Sequence, residues 1–281
     1  MLEPFAYDFM QRAAVEGVLM GVVCGLLGTL VVLRGLTYTG ESLSHTLVPG
    51  AAIALAIGTS VLLGALAAGV LTALAIAALA RRPEVGEEAA VAVVFTGAFA
   101  VGVILLSRGG TSRDLDSLLF GSILAVERSD LWVGLVAALA AAGSSVALAR
   151  HFILVAFDRT FAGAAGLRPG LLDAVLLVLL AGALTAALRG IGTLLVLSLL
   201  VAPAATARVL TQRIWTMLWL APALGVAFAL TGLELSYHLR VAAGPAIALS
   251  GIAVFALVTA LDSLQASFRR RVPAGLATRR P

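Results

Sequence analysis

Residues 13–33 read AAVEGVLMGVVCGLLGTLVVL, a run with one charge, Glu16, and no proline. A helix needs roughly 20 mostly apolar residues to cross the hydrocarbon core of a bilayer, so this stretch reads as a membrane span. The rest of the chain repeats the pattern. Of its 281 residues 61% are hydrophobic and 12% charged, and the mean hydropathy is +1.07. A soluble domain runs at about 45–50% apolar and about 25% charged. The composition is that of a membrane protein.

Further apolar runs of spanning length fall at about 38–58, 60–80, 89–106, 130–149, 172–188, 191–207, 215–232 and 244–261. The expected fold class is all-α, a polytopic transmembrane helical bundle of eight or nine spans forming one domain over residues 1–281. Many spans are rich in Ala and Gly, which lets helix backbones approach closely in lipid. All 19 cationic side chains are Arg. Arg81 and Arg82, then Arg150, Arg159 and Arg168, then Arg208 and Arg213, then the tail arginines from Arg269 onward occupy alternate connections. The positive-inside rule assigns those connections to the cytoplasm. The N-terminus is then outside, residues 264–281 form a basic cytoplasmic tail, and the outer loops are 107–129, 189–190 and 233–243.

Several classes are excluded. A P-loop ATPase needs a Gly-rich loop ending in Lys, and the chain has no Lys. The single Cys24 allows no disulfide within one chain. A pI of about 10.2 reflects loop and tail arginines, with no basic cluster on a soluble face for nucleic acid. The N-terminal MLEPFAYDFMQR lacks the pattern of a cleaved signal peptide.

Ionisable groups inside spans are costly and tend to mark pathways or binding sites. Glu16 and Arg34 stand near the two ends of the first span, where snorkelling toward water accounts for them. His151 stands at a span end and reads as interfacial. Two sets remain, in TGESLSHTLVPG at 39–50 and GLELSYHLRVAAGP at 232–245. Glu41 and His45, and again Glu234 and His238, show Glu-x-x-x-His spacing, which stacks both side chains on one helical face. Of the three His in the chain, two stand in this relation to a Glu. Carboxylate oxygen and imidazole nitrogen suit Zn²⁺, Mn²⁺ and Fe²⁺, and two converging pairs would make a four-ligand site. The alternative is that each Glu pairs with an Arg, Arg240 being close to Glu234, and each His satisfies a backbone carbonyl. Convergence requires the later segment to extend or bend inward, and Gly40, Pro49-Gly50 and Gly244-Pro245 offer bends. Ser42, Ser44 and Ser236 are candidates for orienting the imidazoles, or for bonding back to their own helix.

Residues 150–171, RHFILVAFDRTFAGAAGLRPGL, mix apolar and charged residues and read as a short cytoplasmic helix with Gly-Pro punctuation. Such a segment either lies on the membrane surface or docks into a soluble partner.

With these residues in view, the chain resembles the membrane permease subunit of zinc/manganese/iron ABC importers, the ABC-3 family. The resemblance runs through EPFAYDFMQRA (3–13), GLLGTLVVLRGLTYTGESLSHTLVPGAA (25–52) and GEEAAVAVVF (86–95). It continues through LLFGSILAV (118–126), FDRTFAGAAGL (157–167), GTLLVLSLLVAPAATARVL (192–210) and LSYHLRVAAGPAIAL (235–249). The first ligand motif of the family usually reads G-D-x-x-S-H. Glu41 stands where that motif has Asp, keeping the charge but moving the oxygen by one methylene.

The resemblance implies a type II importer-like permease in the bacterial plasma membrane, with Glu41, His45, Glu234 and His238 as metal ligands. It implies that 150–171 is the coupling loop, with Phe157, Asp158, Arg159, Ala165, Gly166 and Leu167 meeting the ATPase. Implied partners are a second permease copy (a homodimer), cytoplasmic ABC ATPase subunits that hydrolyse ATP, and an extracytoplasmic metal-binding protein. No cofactor is implied as permanently bound, and the cargo is a divalent ion such as zinc or manganese. Two other transport readings compete: an ion-coupled secondary metal carrier, and an ABC permease for a larger chelate such as a siderophore. An intramembrane metalloprotease lacks its contiguous H-E-x-x-H here.

Overall fold

A computed structural model describes residues 7–82, 84–109, 123–190 and 192–271. The outer loop expected at 107–129 and the basic tail lie largely outside the described residues. The described chain is helical: α1 (Asp8–Leu33), α2 (Thr37–Ala56), α3 (Val61–Leu79), α4 (Gly86–Gly109), α5 (Arg128–Phe157), α6 (Arg159–Ala164), α7 (Pro169–Gly190), α8 (Thr193–Leu210), α9 (Ile214–Leu239) and α10 (Ala243–Arg271). A 3-10 turn at Ile123–Ala125 precedes α5. Nine of these helices coincide with the nine expected spans. By length and composition α1, α3, α5, α7, α9 and α10 are each long and apolar enough to cross a membrane. In hydrocarbon every backbone polar group must be bonded within the segment, and helices achieve this.

The first helix is the post of the bundle. It packs on α9, α8 and α5, with α10 closing over α8 and α9. A second group forms as α2 packs on α3 and α4, and α7 joins the two groups by contacting both α3 and α5. Large apolar side chains on α3, α5, α9 and α10 (Leu71, Val136, Val146, Trp219 and Leu257 among them) are exposed, as lipid-facing surfaces require.

Glycines on α1 set the tightest crossings. A Cβ built on Gly21 would meet the Gly225 carbonyl carbon at 2.7 Å, one on Gly25 would fall on Pro222 backbone, and one on Gly28 would strike the Leu200 carbonyl. The helix ends at Gly35 (φ +70°), where Gly35 N–H donates to Val32 O and Leu36 N–H to Val31 O. This is the Schellman pattern, which favours glycine at the left-handed position. It turns the chain straight into α2.

Two helix ends differ from those read in the sequence, and one internal proline does not end its helix. Helix α2 runs through Pro49. Proline has no N–H to give the carbonyl four residues earlier, which here belongs to His45. Helix α5 continues past residue 149 to Phe157, and α9 past 232 to Leu239. Polar residues in these extensions fail a hydrocarbon criterion while remaining good helix formers. His151 accordingly lies within α5, half-buried.

Gly25→Val is expected to cost at least the about 1–3 kcal/mol of an overpacked core and to lower the thermal midpoint of the detergent-solubilised protein. Gly143, which has nothing within 4 Å of a built Cβ, is expected to tolerate Ala with a change within about 1 kcal/mol.

Candidate functional site

The bundle has two distinguishable ends. At one, Arg81 donates to the Gly170 carbonyl (2.9 Å), and Arg81, Arg159 and Arg168 line one pocket of about 590 Å³. Arg150 and Arg213 line another. The basic connections thus gather at a single end, as their alternation requires, and this is the inner end under the positive-inside rule. At the other end Asp8, Gln11, Arg12 and Arg128 surround a pocket of about 350 Å³ between α1 and α5.

A buried ionic knot holds the inner end together. Asp173, at the start of α7, pairs with Arg34 after α1 and with Arg159 at the start of α6, each at 2.5 Å. The Arg34 side chain is 5% exposed, Asp173 16% and Arg159 49%. Arg34 therefore does not snorkel: a carboxylate reaches it instead. Glu87, at the start of α4, lies within electrostatic reach of all three, and its burial pushes its carboxyl above the usual range, with Asp173 adding and Arg34 and Arg159 opposing.

The short helix α6 hangs from this knot. Asp158 caps it, its carboxylate accepting from Phe161 N–H at 2.7 Å. Its far end closes with Gly166 N–H donating to Gly163 O and Leu167 N–H to Ala162 O, Gly166 taking φ +85°. Both ends are thereby satisfied in a helix too short to persist alone. Phe157 is 65% and Phe161 58% exposed. Asp158, Arg159, Ala165 and Gly166 are exposed as well, and Leu167 is half-buried. Phe161, Asp173 and Arg34 were not singled out from the sequence for this region; the Asp-x-x-Phe cap and the isolated Asp in DAVLLVLL were the available signals.

The Glu/His pairs stand on α2 and α9. Glu41 is exposed and His45 half-buried, its ring 6.2 Å from that of Phe95 on α4. Glu234 is half-buried and His238 exposed, with Tyr237 edge-on to the His238 ring at 5.5 Å. Each pair shares one helical face, as the spacing dictates. Among the described residues neither Glu41 nor Glu234 forms an ion pair, so Arg240 does not neutralise Glu234. Arg240 instead takes the left-handed conformation that ends α9 (φ 54°). Ser44 and Ser236 do not orient the imidazoles: Ser44 Oγ donates to Glu41 O and Ser236 Oγ to Val241 O, each at 2.7 Å.

Within one chain the two pairs lie apart. His45 is about 12 Å along α2 from the inner end, and Glu234 about 30 Å along α9, at 1.5 Å per residue. Among the described residues no three His, Cys, Asp or Glu side chains group closely enough to hold a metal ion.

The described chain is an all-helical bundle with several membrane-length helices, an exposed, capped inner helix and two helical faces that each carry a Glu and a His. The chain matches the model of the ABC 3 transport family over residues 6–262, and it belongs to that family. It is 39% identical over 253 residues to the manganese transport system membrane protein MntC of Halalkalibacterium halodurans, covering 90% of this chain and 87% of that one. A probable iron transport system membrane protein of Haemophilus influenzae is 32% identical, over 94% of this chain and 98% of its own. The solved structure of PsaBC from Streptococcus pneumoniae in complex with Fab superposes with a TM-score of 0.79 at 28% identity, covering 92% of each chain. The fold class and the membrane location expected from the sequence are those of this family.

Asp173→Ala would break the pair of the buried Arg34 guanidinium and leave Glu87 as the carboxylate within reach, so a destabilisation up to the about 3–5 kcal/mol of a broken buried pair is expected. Arg159→Ala breaks only the half-exposed arm and should cost about 0–1 kcal/mol. Thermal unfolding of the two variants in the same detergent checks the contrast.

Proposed function

We propose that this chain is the membrane permease of an ATP-driven importer of divalent transition-metal ions, with manganese or iron as the cargo. The names of its relatives support those two metals. The donor set itself, two Glu and two His with no thiolate, also accepts zinc and disfavours Cu(I). The observation that carries the reading is the pair of Glu-x-x-x-His faces that the chain's own packing leaves partly open, with Glu41 and His238 exposed. Isolated carboxylates and imidazoles in a membrane helix are expensive unless they face a water-filled path or a ligand.

On this reading Glu234 with His238 forms an outer station and Glu41 with His45 an inner one, along a path completed by a second copy of the permease. Each station offers only two side-chain donors per chain, so an ion held there is weakly held and can leave, as conduction requires. The His45 carbonyl, which receives no N–H from Pro49, is a further oxygen at the inner station. Glu41, longer than Asp by one methylene, places its carboxylate further from the helix axis.

An extracytoplasmic binding protein delivers the ion to the outer station. Cytoplasmic ATPase subunits supply the work. The capped helix α6, with Phe157, Asp158, Arg159, Ala165, Gly166 and Leu167 at its surface, is the docking element. Its movement reaches the start of α2 through Arg159, Asp173 and Arg34, so ATP binding and hydrolysis alternate the access of the path. The ATP hydrolysis is the partner's chemistry and not this chain's.

His45→Ala and His238→Ala are each expected to abolish uptake of Mn²⁺, Fe²⁺ and Zn²⁺, assayed in parallel in metal-limited cells, with the complex still assembling. Wild-type uptake in both variants would sink the reading. For the docking element, Phe161→Asp is expected to lose co-purification of the ATPase while the permease itself remains folded. Metal uptake driven by a proton gradient without ATP would favour the secondary-carrier reading instead.

A further inference from the structure

Glu16 is fully buried, with 0% exposure. Both its carboxyl oxygens lack a hydrogen-bond partner, and among the described residues no cation pairs with it. It points at α5, where a Cβ on Gly134 would come within 2.9 Å of Glu16 Oε2, with Met20 and Leu19 completing the contact. The seam is built to hold the carboxyl: glycine at 134 leaves the room, and apolar groups close it. One turn toward the outer end on the same face of α5 stands Asp130, itself buried and close enough to act electrostatically on Glu16.

Helices α5, α8 and α9 and the 3-10 turn pack against α1. On α1, Arg12 lies one turn outward, in the pocket it shares with Asp8, Gln11 and Arg128, and buried Cys24 lies two turns inward. The 3-10 turn contributes apolar Ile123. The α9 residues at this level on the α1 side are Ala229 and Leu233, and the titratable and charged groups of that helix end are Glu234, Tyr237 and His238, with Arg240 at its cap. On α8, Leu200 meets α1 at Gly28, more than two turns away, and the only charged side chain of that helix is Arg208 in its last turn. No described cation reaches the carboxyl.

An ionised carboxylate in this seam would carry a desolvation penalty that nothing described offsets, and a second carboxylate beside it adds repulsion. A divalent ion would need several more oxygens than the apolar surroundings supply. We propose that Glu16 is a proton-binding site of the permease. The carboxyl is neutral while the α1–α5 seam is shut, and it gives up its proton toward the polar outer pocket when water enters the seam. Closing the seam then takes up a proton, so the outward-to-inward cycle is linked to the acidity of the medium. The proton site stands apart from the Glu/His stations, and its protonation state can be tested whether or not the transport reading holds.

Infrared difference spectra of the full complex in lipid nanodiscs, wild type minus Glu16→Gln, test the site directly. The expected difference contains the carbonyl stretch of an un-ionised carboxyl at neutral pH. A difference showing only carboxylate bands would overturn the proposal. So would loss of the un-ionised band on adding Mn²⁺ at constant pH, which would assign the seam to a metal ion. Should Glu16→Gln fail to assemble, dicyclohexylcarbodiimide labelling of the wild type serves instead, since that reagent attacks un-ionised carboxyls in apolar surroundings. Mass spectrometry should find the adduct on Glu16, and its absence there counts against the site. In uptake assays Glu16→Gln, permanently neutral, should keep the wild-type rate in acid and lose the wild-type change toward alkaline pH. A pH profile parallel to the wild type would overturn the linkage to transport.

Discussion

Close backbone contact along α1 is the constraint on which the rest of the bundle depends. Lipid tails are as apolar as leucine, so helices in a membrane gain little from hiding apolar surface against one another. What holds them is dispersion at short range and the absence of side chains in the way. Gly21, Gly25 and Gly28 allow α1 to lie directly on α9 and α8, and Gly134 on α5 leaves space for a carboxyl from the same helix. Because α1 ends in a glycine turn and hands the chain at once to α2, its placement also fixes where the Glu41/His45 face begins.

The polar groups divide by what surrounds them. Arg34 and Asp173 are buried and paired, and this pair is a structural joint whose value lies in what breaking it would expose. Glu41 and His238 are exposed, His45 and Glu234 half-buried, and among the described residues neither Glu forms an ion pair. Glu16 is buried and unpaired, the condition for a group that holds a proton. On the proposed readings these three environments are those of a joint, an ion station and a proton site. The short helix α6 belongs with the joint, since its exposed aromatic surface is tethered through Arg159 to the buried pair.

Much of this was legible in the sequence. Spans of about twenty apolar residues, arginines in alternate connections and the doubled Glu-x-x-x-His spacing each have a direct physical meaning. The positions of Glu16 and Arg34 were misread as snorkelling because a charge near the end of an apolar run looks the same whether water or a neighbouring helix receives it. Ser44 bonds back to its own helix, the ordinary fate of serine there, and Ser236 reaches forward to the Val241 carbonyl just past the end of α9. Pro49 lies inside α2 without ending it: proline removes one hydrogen bond, and in a packed bundle the helix continues past it. The helical extensions to Phe157 and Leu239 were missed because hydropathy reports the membrane's thickness and not the helix's length.

The sequence by itself determined the class: composition and span length admit a helical membrane protein and little else, and the spacing of each Glu and His puts the pair on one face of a helix whatever the helix packs against. Only the tertiary structure decided which groups are covered. It set Asp173 between two arginines far away in sequence, put Glu16 against Gly134 instead of water, and left the two Glu/His faces open at different depths. Local spacing fixes neighbours along one helix, where the backbone geometry is the same everywhere. Which helix lies across the way depends on backbone approach distances summed over the whole bundle, and no single stretch of sequence contains them.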